Sequence, residues 1–419
     1  MTSPVSDNSL SAFDPALATL IEREGRRQAT TIDLIASENH VSRAVLEAMG
    51  SLLTDKYAEG YPGRRYYSGC GVVDEVESLA INRAKSLFGA EHANVQPHAG
   101  SQANFAAYQA LIPSGSTILG MDLSHGGHLT HGAEVNFSGK LFRSMTYGVD
   151  RKTERIDYDH VRSLALHQRP NVIVAGASSY PRIIDFAVFG EIAREVGALL
   201  MVDIAHIAGL IAGGVHPSPV ACADVVTGTT QKTLRGPRGG FILSKAAHAS
   251  KIDAAVFPGS QGGPLMHVIA AKAVCFLEAS LPSFKDYAAA IVANARILSD
   301  VFLESGLRVV SGGTDNHLVL VDLANLNITG KEAQDALERA GIVANRNKIP
   351  YDTRSAMIAG GLRVGTPALT TRGFSPDEVQ TVARLICQVL REPTSESVRD
   401  RVHTTVLDLC ESHPIPGAA

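Results

Sequence analysis

The sequence predicts an α/β protein: a large unit on a mainly parallel sheet with helices on both faces, then a smaller C-terminal α+β unit. Three observations carry this. Short β-branched runs recur at 117–121, 171–175, 199–203, 224–227 and 240–243, with helical or loop segments between them. The runs lie in near-continuous apolar sequence, as strands buried on both faces do. After about 280 the pattern shifts to a long helical segment, strands at 307–310 and 317–323, a helix at 331–340, a strand near 362–365 and a last helix at 376–391. The expected division is an arm at 1–30, a large unit at 31–280 and a small C-terminal unit at 281–419.

Each element has a local reason. Residues 74–88 carry acids in the first turn, apolar residues at helical spacing and Gly89 as a stop. The short run Ala93–Val95 ends in Pro97-His98-Ala99-Gly100-Ser101-Gln102, which opens the next helical segment. Backbone amides of such a turn can cup a phosphate without a basic residue, although an ordinary helix cap reads the same way. The apolar strand 198–202 ends at Asp203, and the run 224–226 leads into Thr229-Thr-Gln-Lys-Thr-Leu-Arg-Gly-Pro237. In open α/β sheets ligands bind beyond the carboxyl ends of strands, where these segments fall.

Composition limits the function classes. The 419 residues are 45% hydrophobic and 19% charged with net charge −4, enough to bury large cores and without the basic block that nucleic acid would demand. Five scattered cysteines with no CxxC pair fit a reducing compartment, and the polar first eight residues hold no apolar signal core. The stretch 197–215 is apolar enough by length for a membrane span, but Asp203 and His206 at its middle fit a strand entering a loop. The expectation is a cytoplasmic protein with no membrane or nucleic-acid partner.

Lys232 is the residue with the most chemistry. Flanked by hydroxyl residues, after an apolar strand and before a Gly/Pro turn, it is suited to losing its proton. A neutral lysine amine can form a Schiff base with an aldehyde, and pyridoxal phosphate is the aldehyde that proteins most often hold this way. Its ring nitrogen wants a carboxylate, a part that Asp203 can play. His125-Gly-Gly-His128-Leu-Thr-His131 has the spacing of a metal cluster, yet the glycines argue against a rigid helix presenting all three. The competing role is one histidine stacked on a planar ring. No GxxxxGK[ST] loop is present, and Gly69-Cys70-Gly71 lacks the third glycine of a dinucleotide fingerprint.

Several long blocks occur in one order: Leu34–Asn39 (LIASEN), Lys56–Gly63 (KYAEGYPG), Asn94–His98, Gly126–Gly132 (GGHLTHG), Val135–Lys140, Phe257–Gly259, Gln261–His267 and Arg363–Pro367 (RVGTP). By these the chain resembles serine hydroxymethyltransferase, from about Leu34 to Phe374. The resemblance implies a fold-type-I transferase with pyridoxal phosphate as cofactor and tetrahydrofolate as cosubstrate. It implies a homodimer with composite active sites, possibly a tetramer. Lys232 would carry the cofactor, with Thr229 beside it and Asp203 on the ring nitrogen. His128 would stack on the ring, and His206 would sit near the phenolic oxygen. Gly100 and Ser101 would hold the phosphate, with Ser178 nearby and Gly262, Gly263 and Tyr57 from the partner subunit. Arg363 and Ser37 would bind the substrate carboxylate. Glu59 would manage a proton in the transfer, and Tyr67 would help exchange lysine for the substrate amine. Glu59, Tyr66, Leu123, Gly127, Leu129 and Asn347 would form the folate side. No metal is implied.

The chain departs from that family's pattern at three places, the mildest being Ala99 where a small hydroxyl residue is common in the phosphate turn. Gln231 precedes the lysine where histidine is usual, and Tyr351–Met357 (YDTRSAM) replaces a segment close to Asn-Asp-Pro-x-Ser-Pro-Phe. Gln231 and Met357 are therefore candidate specificity residues. An α-methylserine hydroxymethyltransferase or aldolase is the alternative within the family, and a metal-dependent hydrolase using the histidine cluster is a remote one. Loss of prolines and an aromatic is expected to loosen the loop and weaken folate binding by ~1 kcal/mol.

Overall fold

The computed structural model describes residues 9–417. Residues 1–8 of the expected arm lie outside the described part; the rest of the arm forms helices Leu10–Phe13 and Pro15–Ala29. The main sheet has seven strands in the order His92–Asn94, Gly240–Ser244, Val225–Thr229, Leu199–Asp203, Val172–Ala175, Thr117–Met121, Arg143–Tyr147. Neighbouring pairs are parallel except where Gly240–Ser244 runs antiparallel to both of its neighbours. The strands Val172–Ala175, Val225–Thr229 and Gly240–Ser244 are buried along their whole length. Hydrophobic cores lie on both faces, one around Phe189, Phe241 and Phe276, the other around Tyr108, Ile118 and Met201.

The sheet collects chemistry at one end. Asp203 ends its strand, and Thr229 ends the neighbouring one. The strand His92–Asn94 leads into the 95–99 turn and the helix Gly100–Leu111. That helix has no side-chain cap at Ala99, so its first amides are left for another acceptor. Three sites are thus built from the ends of three strands on one rigid layer.

A second core surrounds a four-stranded antiparallel sheet ordered Arg308–Val309, Leu318–Asp322, Gly361–Gly365, Asn345–Asn347. The helices Pro282–Glu304, Gly330–Arg339 and Pro376–Arg391 pack on it. An early segment joins this core: Ile32–Asp33 pairs in parallel with Ile342–Val343, and Ile32 and Leu34 are buried there. Arg372 fastens the ends of the chain, donating to the carbonyls of Ala29, Thr31, Cys410 and His413. Among the described residues no single helix is long and apolar enough to cross a membrane; Met266–Ser280 and Pro282–Glu304 are bent by 81° to one another and hold many buried core residues.

The hairpin Gly60–Tyr61/Arg64–Arg65 stands off the main sheet and is held by a buried ionic network. Arg65 donates to Asp74 at 2.8 Å and Glu77 at 2.6 Å, and to the carbonyls of Ala58 and Gly60. Glu77 also accepts from Gln96 at 2.8 Å, two residues after the strand His92–Asn94. The charged pair therefore registers the 57–67 segment against the strand that feeds the phosphate-type turn.

Candidate active site

A cavity of about 370 Å³ opens at the carboxyl end of the large sheet. It is lined by Ser37, Gly100, Ser101, His128, Ser178, Asp203, His206, Thr229, Gln231, Lys232 and Arg363. The structure thus brings together eleven of the residues that the sequence singles out, from segments hundreds of positions apart. Glu38, Asn104, Arg238 and three alanines, Ala99, Ala177 and Ala205, complete the wall.

Lys232 hangs from a tight loop. Its carbonyl accepts from Asn39 Nδ2 at 2.9 Å and from the amide of Arg235, whose φ of 61° turns the chain back. The flanking hydroxyls hold the loop: Thr229 Oγ1 donates to Ala205 O, Thr233 Oγ1 to His206 O, and Thr230 Oγ1 to Pro237 O. No acceptor holds the lysine Nζ among the described residues. Burial pushes its pKa down to about 8; Asp203 opposes the shift, and Arg363 and Arg238 add to it. A poised amine facing a cavity is what condensation with an aldehyde needs.

Asp203 is buried and saturated on its inner side. Oδ1 accepts from the Ala205 amide at 2.9 Å; Oδ2 accepts from Asn104 Nδ2 at 2.9 Å and His131 Nε2 at 3.1 Å. Burial alone would raise the carboxyl, but the bond from His131 and the neighbouring histidines outweigh it and hold it well below the usual carboxylate range. The charge stays on at neutral pH.

His128 and His131 are set by each other. His131 Nδ1 accepts the His128 amide at 3.2 Å, so Nε2 carries the proton given to Asp203. Thr130 Oγ1 accepts from Asn104 Nδ2, which directs its own proton to His128 Nδ1 at 2.7 Å and leaves Nε2 of that ring free. Burial drops His128 to about 4, so it is a neutral, flat ring on the cavity wall. The ligand atoms of His128, His131 and Asp203 lie within 4.8 Å of one another, close enough for a metal. Each of these atoms is already engaged in a proton-bearing hydrogen bond or aimed into the cavity, which favours a relay that orients Asp203 over a metal cage. His206 pairs with His317, Nδ1 to Nε2 at 3.2 Å, and burial keeps both far below the ordinary histidine value.

Arg363 projects from the strand Gly361–Gly365 of the smaller sheet. Nε donates to Asn345 Oδ1 at 3.0 Å and Nη1 to Ser178 O at 2.9 Å, so the guanidinium is aimed and half of its fork remains. Burial lowers it only to about 10, which leaves it charged and suited to a carboxylate. Gln231 turns its Oε1 to the Gly239 amide at 3.3 Å.

The other candidates form a second group that does not line this cavity in its own chain. A Cβ on Gly263 would meet the Tyr57 ring at 3.2 Å, and one on Gly262 would meet Glu59 Oε1 at 3.3 Å. Tyr57 and Tyr67 are exposed and meet edge to face at 5.2 Å; Tyr66, 75% exposed, lies against Phe257. Leu123 and Leu129 are exposed on short turns flanking Gly127, which a side chain could not replace because a Cβ would meet Met121 O at 2.1 Å. Asn347 Nδ2 reaches Ser179 Oγ at 3.3 Å. Met357 is 68% exposed at the surface beside Arg346.

The 351–357 loop has an anchor that its composition conceals. The Tyr351 ring lies 4.6 Å from that of His125, the Arg151 guanidinium sits 4.2 Å from its centroid, and its hydroxyl donates to Val149 O. Asp352 accepts the amides of Arg354 and Gly360. This tyrosine offsets the loosening expected from the lost prolines. Tyr351→Ala should open the loop by ~1–2 kcal/mol and speed tryptic cleavage after exposed Arg354 about tenfold, whereas Tyr351→Phe should stay within about threefold of the parent. Equal cleavage rates for the parent and the alanine variant would show that the anchor does not hold the loop.

Sequence reasoning missed Asn104, Thr130, His317 and Arg238, and gave His131 a place only in the metal cluster of the remote alternative. Only His131 left a signal, its spacing from His128. The others are ordinary residues until the fold sets them beside Asp203, His206 or Lys232.

The residues present fit a planar aldehyde with a ring nitrogen and an anionic ester. They offer an amine with a lowered pKa, an oriented carboxylate, a flat neutral ring and free helix amides. Comparison with known proteins agrees with that chemistry. The family model described as serine hydroxymethyltransferase matches residues 10–386. The chain is 58% identical over 407 residues to serine hydroxymethyltransferase 1 of Pseudomonas fluorescens (strain Pf0-1), covering 97% of this chain and 99% of that protein. On its sequence blocks, its cavity and these matches, the chain belongs to the serine hydroxymethyltransferase family.

Proposed function

We propose that the protein is a pyridoxal-phosphate-dependent hydroxymethyltransferase that interconverts serine and glycine, with tetrahydrofolate accepting the one-carbon unit. Its architecture is that of a fold-type-I transferase. The observation that carries the reading is the convergence of Lys232, Asp203 and Arg363 on one cavity. When bound, pyridoxal phosphate supplies an electrophilic aldehyde and a ring that withdraws electrons from the amino-acid α-carbon.

The chain's own residues do the rest. Lys232, its pKa lowered to about 8 by burial, would hold the aldehyde and later yield it to the substrate amine. Asp203, kept anionic by Asn104 and His131, would hold the proton on the ring nitrogen. His128 would cover a ring face without adding charge, and Gly100 and Ser101 would offer amides to the ester. Arg363, aimed by Asn345 and Ser178, binds the substrate carboxylate with Ser37.

The α-methylserine alternative has less support. Met357 stands outside the cavity, and Gln231 is tied to the Gly239 amide. The test is a substrate panel of serine and α-methylserine with saturating tetrahydrofolate. The ratio of kcat/KM for serine to that for α-methylserine should lie far above one. A ratio below one would move the assignment to the alternative.

The exposed Tyr57–Tyr67 segment and Gly262–Gly263 support a homodimer in which this group enters the partner's cavity, where Glu59, Tyr66, Leu123, Gly127, Leu129 and Asn347 would face folate. An inactive Lys232 variant mixed with an inactive Tyr67 variant should regain partial activity, since one hybrid site is intact. No recovery after proven subunit exchange would refute shared sites. We also infer a cytoplasmic location: the five cysteines are unpaired, as a reducing compartment keeps them. The division into an arm, a large unit and a small unit is proposed on the two separate cores.

A further inference from the structure

The phosphate-type turn looks in sequence like a cup made of backbone alone, but a buried cation lies behind it. Lys272 is 1% exposed in the apolar helix Met266–Ser280. Its Nζ donates to three carbonyls, Val95 O at 2.7 Å, Pro97 O at 2.9 Å and Gly240 O at 2.7 Å. Three acceptors need three protons, so this geometry is that of the ammonium. No carboxylate pairs with it among the described residues, and Glu77 spends its oxygens on Arg65 and Gln96. Burial pushes its pKa down to about 7, partly opposed by Glu77. An unpaired cation held in a dry interior is costly unless something rewards it.

The position explains what could. Val95 and Pro97 lead directly into the Gly100–Ser101 turn. The Gly240 amide also donates to Pro97 O at 3.0 Å, and a Cβ on Gly240 would come within 3.2 Å of the Gly100 amide nitrogen. A Cβ on Gly239 would strike Lys272 Cε at 2.4 Å, so the bare backbone there makes room for the lysine. The ammonium thus stands behind the cup, close to the anion's seat and out of its reach.

We propose that Lys272 is a positioning residue for the cofactor's phosphate, fixing the 95–101 turn through its three carbonyls and biasing the cup electrostatically toward a dianion. This rests on the reading that Gly100 and Ser101 hold that phosphate. Charge acting across a dry interior is weakly screened. Lys272→Met keeps the unbranched shape of the side chain out to Cε and removes the ammonium with its charge.

The test is titration of cofactor-free protein with pyridoxal 5′-phosphate and with pyridoxal. Lys272→Met should lose about ten- to hundredfold affinity for the phosphate ester and less than about threefold for pyridoxal. Equal losses for both would make Lys272 a structural residue and overturn the proposal. Equal affinity of the parent protein for the two compounds would instead defeat the reading of the cup. Should Lys272→Met not fold, ¹³C-lysine NMR of the Lys232→Ala variant decides the matter. One lysine titrating far below the rest should rise in pKa when inorganic phosphate is added, and no rise overturns the proposal.

Discussion

Lys232→Ala should lose serine-to-glycine turnover by at least about 10⁴-fold, the scale on which removing a covalent nucleophile acts. The cavity offers no substitute amine: Lys272 is turned to three carbonyls behind the wall, and Arg363 remains charged. Lys232→Arg should be as inactive, because a guanidinium keeps its proton at any working pH. Folding should survive both changes. Among the described residues no acceptor holds Nζ, so removing the amine leaves no buried group without a partner. Steady-state glycine formation from serine with tetrahydrofolate, beside a thermal melt, checks both halves; turnover within tenfold of the parent would remove Lys232 from the chemistry.

Asp203→Asn should lower kcat on the order of 10²-fold or more, since a neutral amide cannot hold a proton on the ring nitrogen. It should also cost about 1–3 kcal/mol of stability. The amide oxygen can keep the donors on one side, Asn104 with His131 or Ala205 alone, while its own N–H group faces the donor on the other. The pH dependence has a definite sign. The folded carboxyl lies well below the ordinary value, so its stabilisation is complete above the unfolded pKa near 4 and fades as pH falls toward the folded one. The melting temperature of the parent should therefore fall more steeply below about pH 4 than that of Asp203→Asn. Parallel curves would mean that the charge of Asp203 carries no folding energy.

The parts of the fold that were legible in the sequence are those with a dense local signal. The buried strands Val172–Ala175 and Leu199–Asp203 are unbroken apolar runs, and the helix Pro376–Arg391 shows its Ser375/Glu378 capping box and its period. The strand Arg143–Tyr147 was not legible, because at the sheet edge it is only partly buried and reads as mixed sequence. Nor was the pairing of Ile32–Asp33 with Ile342–Val343, a contact across three hundred residues with two residues on each side. The site divides in the same way. Lys232 and Asp203 have chemistry that is unusual for their surroundings and stand out in their own segments, whereas Arg363 was singled out only through the resemblance that its block carries. Asn104 and Thr130 matter only through their hydrogen bonds to Asp203 and His128. Lys272 left a signal that went unused: one cation in the apolar helical run 265–277.

The central claim is that one particular lysine attaches the cofactor, and two buried lysines have lowered pKa values. Borohydride reduction of the loaded protein followed by peptide mapping separates them. The account predicts a single stoichiometric adduct on the peptide that contains Lys232. An adduct on Lys272, on another residue, or on none would contradict it.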